Sequence, residues 1–576
     1  MKRFIPFLGW ISKYKKGFIL RDLLAGLTVG IILIPQGMAY AIIAGLPPVY
    51  GLYASLFPVL IYLFLGTSRQ LAVGPVAMDS LLVAAGLGTL AISGIENYIA
   101  MAIFLAFLVG LIQLLLGLFR MGYLVNFISK PVISGFTSAV ALIIILSQLK
   151  HLLGVTIGQS SKFHHLILNA LDHVVETNFF DFGIGIVGIL VIVLLKKWNR
   201  RIPNILIVVV IGILSVYFLK MENYGVKIVG EIPMGLPSFQ LPKFDFGVLT
   251  DLWPIALTLA LIGYLETISI AKAIDEKNNE DHVDANQELV ALGTSNIVGS
   301  FFQSYPVAAS FSRSAISNDA RGKTNLYSLF SIIMVVLTLL FLTPLFYYLP
   351  IALLASIIMV SVFGLIDFEY PKTLWKFRKD EFVVLLLTFL ITLFIGIKEG
   401  VLVGVLLSLL LMVYRTSKPH FAVLGKIRGT EYYKNIKRFG EEIEYRDDLL
   451  ILRFDAQLYF GNKSYFKNHM LKQVVAKGDA LKGVILNAEA INYIDSTAAN
   501  MLINLVNDLH ERGLQFYIAG AIGPTRDIIF SSGIIDVLHK EYLFVRTKEA
   551  VAYFDDPNKI PDFREKVAHQ NKKLGN

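Results

Sequence analysis

The chain of 576 residues contains no cysteine. This excludes disulfides, thiolate metal sites and cysteine nucleophiles, and leaves the compartment open. Charge is scarce as well: Asp, Glu, Lys and Arg make up 16% of the residues, against 55% hydrophobic. That balance excludes an ordinary soluble protein. No phosphate loop, nucleotide fingerprint or metal-ligand cluster stands out, so enzyme readings fare worst and no cofactor or metal is expected. A cleaved signal peptide is not expected either, because Lys2, Arg3, Lys13, Lys15 and Lys16 leave only a short apolar stretch between them. An amphipathic segment on the membrane surface fits residues 1–20 better.

What the chain does have is long apolar runs, such as Ala141-Leu142-Ile143-Ile144-Ile145-Leu146 and Phe382 through Ile397. A helix of about 20 apolar residues crosses the roughly 30 Å of hydrocarbon in a bilayer. About fourteen segments have this character, several of them short. They lie near 21–44, 48–66, 74–92, 98–119, 123–149, 182–195, 202–219, 250–275, 285–303, 306–319, 324–346, 350–366, 381–397 and 399–415. With the N-terminus inside, the even-numbered segments exit to the cytoplasm. Those exits carry Arg69, then Arg120, then Lys196, Lys197, Arg200 and Arg201, then Arg321 and Lys323, and finally Lys372, Lys376, Arg378 and Lys379. The opposite loops are poor in positives, which places both termini in the cytoplasm. The net charge of +9 therefore belongs to membrane topology and is not a nucleic-acid signal.

Two distant stretches echo each other. Gly74-Pro75-Val76-Ala77-Met78-Asp79-Ser80 and Tyr305-Pro306-Val307-Ala308-Ala309-Ser310-Phe311 share a Pro-Val-Ala core, in the third and tenth segments. Seven segments per half invert the second half, so the two sites fall at equivalent places. Proline lacks an N–H and suits the first helical position. Two half-helices starting inside the bilayer aim free N–H donors and partial positive charge at a shared anion. Paired interruptions of this kind point to a transporter substrate site.

Arg313 lies about two turns beyond Pro306, where a charge costs at least about 2.5–3.5 kcal/mol on insertion scales. It either supplies positive field beside the anion, helped by Ser310 on the same helical face and the adjacent Ser312, or forms a structural ion pair. Gln36 follows Pro35, with Tyr40 one turn on; its amide either meets substrate or bridges two helices at a kink. Glu266 sits mid-segment in Gly263-Tyr264-Leu265-Glu266-Thr267-Ile268-Ser269. It is a candidate for cation coupling, by carrying a proton or, joined by hydroxyls such as that of Ser269, by holding Na⁺; the alternative is a salt bridge to Arg313 or Lys272. Asp79 is either a second coupling group or the partner of Arg313.

Gln36-Gly37-Met38-Ala39-Tyr40-Ala41, Gly45-Leu46-Pro47-Pro48-Val49-Tyr50-Gly51-Leu52-Tyr53-Ala54-Ser55, Gly66-Thr67-Ser68-Arg69 and Gly74-Pro75 resemble the signature of the sulfate permease family, solute carrier 26 in animals. Asn286-Gln287-Glu288-Leu289, Gly299-Ser300-Phe301-Phe302, Tyr305-Pro306 and Ser312-Arg313-Ser314 fit its second region. The resemblance implies an all-α membrane domain of about fourteen spans in two inverted seven-span repeats. Spans 1–4 and 8–11 form a mobile core, and spans 5–7 and 12–14 a gate that also makes dimers. An anion site lies between spans 3 and 10. The candidate substrate contacts are then Gln36, Tyr40, Val76, Ala77, Ala309, Ser310, Phe311, Ser312 and Arg313, with Glu266, Asp79 and Ser269 for the coupling cation. Asp79 departs from the apolar residue usual at its position in the family.

From about residue 420 the composition turns mixed. Lys418, Lys426, Arg428, Lys434, Lys437 and Arg438 suit a basic, headgroup-facing linker over 417–445. Strands then alternate with helices: Leu449–Phe454, a helix near 463–475, Gly483–Leu486, a helix near 496–511, Leu514–Ala519, a helix near 524–531, a strand near 542–545 and a helix near 547–555. Asp495-Ser496-Thr497-Ala498 resembles the loop of STAS domains, where a serine is phosphorylated in some members; a plain helix N-cap is the simpler account of Ser496.

The expected organisation is a surface segment (1–20), a membrane transport domain (21–416), the linker, a STAS domain (446–556) and a polar tail (557–576). The expected function is secondary active transport of a small inorganic oxyanion such as sulfate, driven by protons through an elevator-like movement of the core. Na⁺-coupled bicarbonate or dicarboxylate symport is the alternative, and an uncoupled channel or exchanger a further one. A homodimer in the cell (inner) membrane is expected, with a small anion, H⁺ or Na⁺, membrane lipid and a cytoplasmic protein on the STAS domain as partners. His151, His164, His165 and His173 fit a solvated amphipathic loop better than a metal site.

Overall fold

Apolar runs of this length close their backbone hydrogen bonds internally, and the chain meets that demand with helices up to the start of its last third. The computed structural model describes residues 5–558 except 13, 89, 91, 93, 124–128, 156–162, 199–202, 244–246, 279, 281 and 282. Lys2, Arg3, Lys13, Arg200, Arg201 and nearly all of the 557–576 tail lie outside the described residues. The chain divides into two units, Met1–Ser408 and Leu409–Asn576.

A helix forms at each expected span: α1 (Ile19–Ile43), α2 (Phe57–Leu65, preceded by the short helix Val49–Tyr53), α3 (Ala77–Leu87), α4 (Ile95–Leu118), α5 (Lys130–Ser147), α6 (Phe179–Trp198), α7 (Asn204–Leu219), α8 (Leu249–Asn278), α9 (Ala285–Phe301), α10 (Phe311–Asp319), α11 (Leu326–Leu337), α12 (Ile351–Phe363), α13 (Lys379–Phe394) and α14 (Ile397–Ser417). Among the described residues, seven helices are long and apolar enough to cross a membrane outright. Helices α3 and α10 have 11 and 9 residues, about 16 and 13 Å at 1.5 Å per residue, and neither reaches across. The described part of the N-terminus forms only a short helix, Phe7–Ile11, and a single 3₁₀ turn, Lys16–Phe18, rather than a continuous amphipathic helix. Pro6, Gly9 and Gly17 are poor formers for one.

Small residues bring helices into backbone contact, as packing without a hydrophobic drive requires. A Cβ built on Gly110 of α4 falls 2.7 Å from the carbonyl oxygen of Gly293 on α9, and one built on Gly293 falls 2.4 Å from the amide nitrogen of Leu114. Two fully buried carboxylates fasten helix starts to distant loops. Asp22 at the start of α1 accepts from the amides of Lys323 (2.6 Å) and Thr324 (3.1 Å) and from the Thr324 hydroxyl (2.7 Å). Glu288 in the first turn of α9 accepts from Tyr62 Oη (2.9 Å), from the amide and hydroxyl of Thr67 (2.7 and 2.5 Å) and from the Ser68 amide (3.2 Å).

The membrane unit contains two short strands, β1 (Val73–Gly74) and β2 (Ala308–Ala309); in the second unit the strands are β3 (Phe421–Ile427), β4 (Tyr433–Asn435), β5 (Ile443–Glu444), β6 (Leu449–Phe454), β7 (Gly483–Asn487), β8 (Gln515–Ala519) and β9 (Leu543–Phe544). The sheet runs β4-β3-β6-β7-β8-β9, with β5 on β3. Strands β6 to β9 are parallel and β3 is antiparallel to β6. Helices α15 (Lys463–Lys477), α16 (Ser496–Glu511), α17 (Gly523–Ser531), α18 (Ile534–Leu538) and α19 (Thr547–Asp555) complete it. The 417–445 stretch, expected as a linker, supplies β3, β4 and β5 instead. Ala422 and Leu424 are buried, so this segment is one edge of the core despite its basic residues.

Ser496 is the exposed first residue of α16, and Asp495 is the cap: its Oδ1 accepts from the Ala498 amide at 2.7 Å and its Oδ2 from the Phe460 amide at 2.7 Å. Asp495→Ala is expected to cost about 1–2 kcal/mol locally. Hydrogen exchange checks it: the Ala498 and Phe460 amides should exchange faster in the variant, and unchanged protection would refute the cap.

Candidate functional site

The two Pro-Val-Ala stretches meet, but in a different register from the one the echo implies. Strand β1 (Val73–Gly74) pairs antiparallel with β2 (Ala308–Ala309), joining Val73 to Ala309 and Gly74 to Ala308. Pro75 follows its strand, whereas Pro306 precedes its own. Neither proline takes the first helical position: α3 starts at Ala77 with Val76 as N-cap, and α10 starts at Phe311 with Ser310 as N-cap. The antiparallel crossing sets two helix starts side by side, each with first-turn N–H groups that lack an intrahelical acceptor.

Backbone broken inside a membrane unit needs partners from elsewhere. The Ser310 amide donates to Ala72 O (2.8 Å), and the Ala72 amide to Ser314 Oγ (2.8 Å). Asn296 on α9 accepts from the Val307 amide (2.8 Å) and donates to Val307 O (3.1 Å) and to Gln113 on α4 (3.0 Å). Thr267 on α8 accepts from the Ala309 amide (3.2 Å). Ser80 and Tyr305 share a hydroxyl–hydroxyl bond of 3.1 Å. Sequence reasoning missed Asn296, Gln113 and Thr267; the signal was buried-type polar residues inside apolar spans. Gly74 has φ +147°, in the region that favours glycine, and a Cβ there would lie 3.3 Å from Arg313 Nη2.

Arg313 is the largest fully buried side chain of this unit. Its Nη2 donates to Pro75 O at 2.8 Å across the crossing. Nε and Nη1 have no partner among the described residues. The ion pair considered for it with Asp79 or Glu266 is therefore not formed as a hydrogen-bonded contact. Tyr40, Tyr305, Tyr327 and Glu266 lie within its electrostatic reach. The arrangement is a buried guanidinium with two donors to give, beside two helix starts, which is what an oxyanion requires.

The carboxylates come from the facing helices. Asp79, in the first turn of α3, is 2% exposed, and its Oδ2 lies 3.4 Å from a Cβ built on Gly263, one turn before Glu266. Asp79 Oδ1 and Glu266 Oε2 are buried and without partner among the described residues. The two groups lie in each other's field, and Glu266 lies also in that of Arg313.

The other candidates distribute unevenly. Tyr40, Val76, Ala77, Ala309 and Ser310 are buried. Ser310 Oγ accepts from the Arg313 amide at 3.4 Å, so its hydroxyl caps α10. Ser312 is half-buried. Phe311 is 54% exposed. Gln36 donates to Ser361 Oγ on α12 at 3.3 Å, the helix-to-helix bond of the plainer reading, and keeps Oε1 without a partner. Ser269 is exposed and does not join the buried carboxylates; the buried hydroxyl on this stretch is that of Thr267. His164 and His165 lie on the helix Phe163–Asp172, and His173 bonds the Asn169 carbonyl at 2.9 Å.

The family model described as the sulfate permease family matches residues 19–388, and that of the STAS domain matches 442–550. The chain is 39% identical over 569 residues to "Sulfate transporter 4.1, chloroplastic" of Arabidopsis thaliana, covering 95% of this chain and 82% of the relative. It is 32% identical over 579 residues to "Sulfate transporter 3.2" of the same plant, covering 96% and 89%. Among solved structures, that of the murine solute carrier 26 family member A9 anion transporter in the inward-facing state superposes with a TM-score of 0.87 at 29% identity, over 96% of this chain and 94% of the other.

Proposed function

The chain belongs to the sulfate permease family, and we propose that it is a proton-coupled symporter of a small inorganic oxyanion, sulfate first among them. The observation that carries this reading is Arg313: a fully buried guanidinium, bonded once to Pro75 O, with two donors left for a ligand at the crossing of two half-helices. An oxyanion there receives the guanidinium and the first-turn amides of α3 and α10 together. Val76 and Ala77 present the backbone of α3, Phe311 and Ser312 the amides of α10 next to those already bonded to Thr267, Ala72 and Ser310, and Tyr40 and Gln36 line the α1 side. A guanidinium left unpaired in hydrocarbon is costly, so the anion stabilises the site as the site binds the anion.

Glu266 supplies coupling. A carboxylate in the field of Arg313 competes with the anion for that charge; a proton taken up by the carboxylate frees the guanidinium for the substrate. Core spans α1–α4 and α8–α11 then carry the loaded site past the gate of α5–α7 and α12–α14. The N- and C-termini face the cytoplasm of a cell whose inner membrane holds the protein, as a dimer, and the STAS domain meets cytoplasmic partners.

Full-length protein in liposomes, offered labelled sulfate with pH and Na⁺ gradients set separately, tests this. Accumulation is expected to follow the pH gradient, and Glu266→Gln is expected to lower it at least about tenfold per pH unit. Uptake indifferent to both gradients, or full accumulation by the variant, would overturn the coupling. Accumulation following Na⁺ alone would reassign the ion.

A further inference from the structure

The anion site holds one more carboxylate than a single coupled cation requires. Asp79 stands where it should repel the substrate: in the first turn of α3, 2% exposed, with Oδ1 unpartnered and Oδ2 turned to Gly263 on α8. It is not spent on Arg313, whose only side-chain bond among the described residues goes to Pro75 O. It shares its field with Glu266, whose Oε2 is likewise buried and unpartnered. The groups facing this pair are Arg313, Tyr40 and Tyr305. Helices α4 and α5, also packed on α3, bring charged or titratable side chains only in their first turns, as Glu96, Tyr98 and Lys130.

Resting on the coupled-transport reading above, we infer that Asp79 and Glu266 each take one monovalent cation per cycle, so that a dianion moves with two. The reason is charge balance. Empty, with both acids ionised, Asp79, Glu266 and Arg313 carry one net negative charge. A dianion with a cation on each carboxylate restores that same net charge, so loaded and empty cores meet the same electrostatic barrier in hydrocarbon. A dianion with a single cation adds a further negative charge, and moving it costs kilocalories. A monoanion is balanced by one cation and leaves the second carboxylate without a task. The ions cross as they enter, sulfate with two protons, and no bond is made or broken except at the two carboxyl groups.

The test uses full-length protein in liposomes clamped at zero potential with valinomycin and equal K⁺. Steady-state accumulation of labelled sulfate is expected to rise about a hundredfold per unit of pH gradient, since each coupled proton contributes a factor of about ten. An imposed potential is expected to leave wild-type uptake unchanged, because the cycle is electroneutral. Asp79→Asn is expected to lower the dependence to about tenfold and to make uptake sensitive to potential. A wild-type dependence of about tenfold, or a hundredfold dependence retained in Asp79→Asn, overturns the inference while leaving coupled transport standing. Wild type that accumulates with neither pH nor Na⁺ gradients overturns both. The same dependence on a tenfold Na⁺ gradient at constant pH keeps two cations and names them Na⁺. A wild-type dependence of about tenfold overturns the inference even where Asp79→Asn fails to fold, and Asp79→Leu, apolar for a buried place, then takes the place of that variant.

Discussion

Arg313→Ala is expected to weaken sulfate binding by roughly thirty- to several-thousand-fold, about 2–5 kcal/mol, the range for truncating one partner of a buried charge pair. Three effects act in the same direction. The anion loses a charged donor in a site where the guanidinium is fully buried and water competes little. Pro75 O loses the 2.8 Å bond that ties the start of α3 to α10, which leaves β1–β2 pairing, the Ala72 contacts and the Ser80–Tyr305 bond to hold the two stretches together. Glu266 loses the guanidinium in its field, next to Asp79. Arg313→Lys is expected to fall between, because an ammonium is a point charge and cannot bond Pro75 O and span an oxyanion with a fixed fork. Calorimetry of sulfate binding to purified protein checks this, with thermal unfolding as the control for folding. Unchanged affinity in Arg313→Ala would reduce the residue to a structural pin.

Glu288→Ala carries the second large effect, on stability rather than on binding. The carboxylate is 0% exposed and satisfies the Tyr62 hydroxyl, the Thr67 amide and hydroxyl and the Ser68 amide. Removing it strands several buried donors at once, for a loss of about 3–5 kcal/mol. Glu288→Gln keeps an acceptor oxygen but turns an NH₂ group toward donors, so an intermediate loss is expected. The apparent melting temperature of the detergent-solubilised protein should fall most in Glu288→Ala. A variant that melts with wild type would show that the loop after α2 is held by other means, such as the Gln287 Nε2 bond to Leu65 O of 2.9 Å.

The elements that were legible from residues alone are those whose burial is uniform. Leu449–Phe454 and Gly483–Asn487 are strands buried on both faces around the apolar runs Leu449–Leu452 and Val484–Leu486; the first keeps its expected limits and the second runs one residue past the expected end at Leu486. Helix α16 starts where Asp495 supplies a cap and shows its apolar stripe along its length. Strand β3 was not legible, because only Ala422, Leu424 and Gly425 of it are buried and Lys418, Lys426 and Arg428 surround them. At the site, Arg313, Glu266 and Asp79 are conspicuous in apolar spans, and the structure brings Glu266 into the field of the other two. The roles of the prolines did not follow, because the strand shifts against the shared tripeptide, from the two residues before Pro75 to a pair that begins two residues after Pro306.

Composition and order along the chain were enough to determine a helical membrane unit in two opposed halves, its span positions and a following α/β unit, because hydrocarbon demands internally bonded segments of a minimum length whatever their neighbours are. Pairing was left to the tertiary structure. Val73 meets Ala309, Arg313 reaches Pro75 across 238 residues of sequence, and Asn296 and Thr267 serve the broken backbone. Those choices depend on which unsatisfied backbone group ends up within about 3 Å of which side chain, and that distance is set by the packing of helices far apart in the chain.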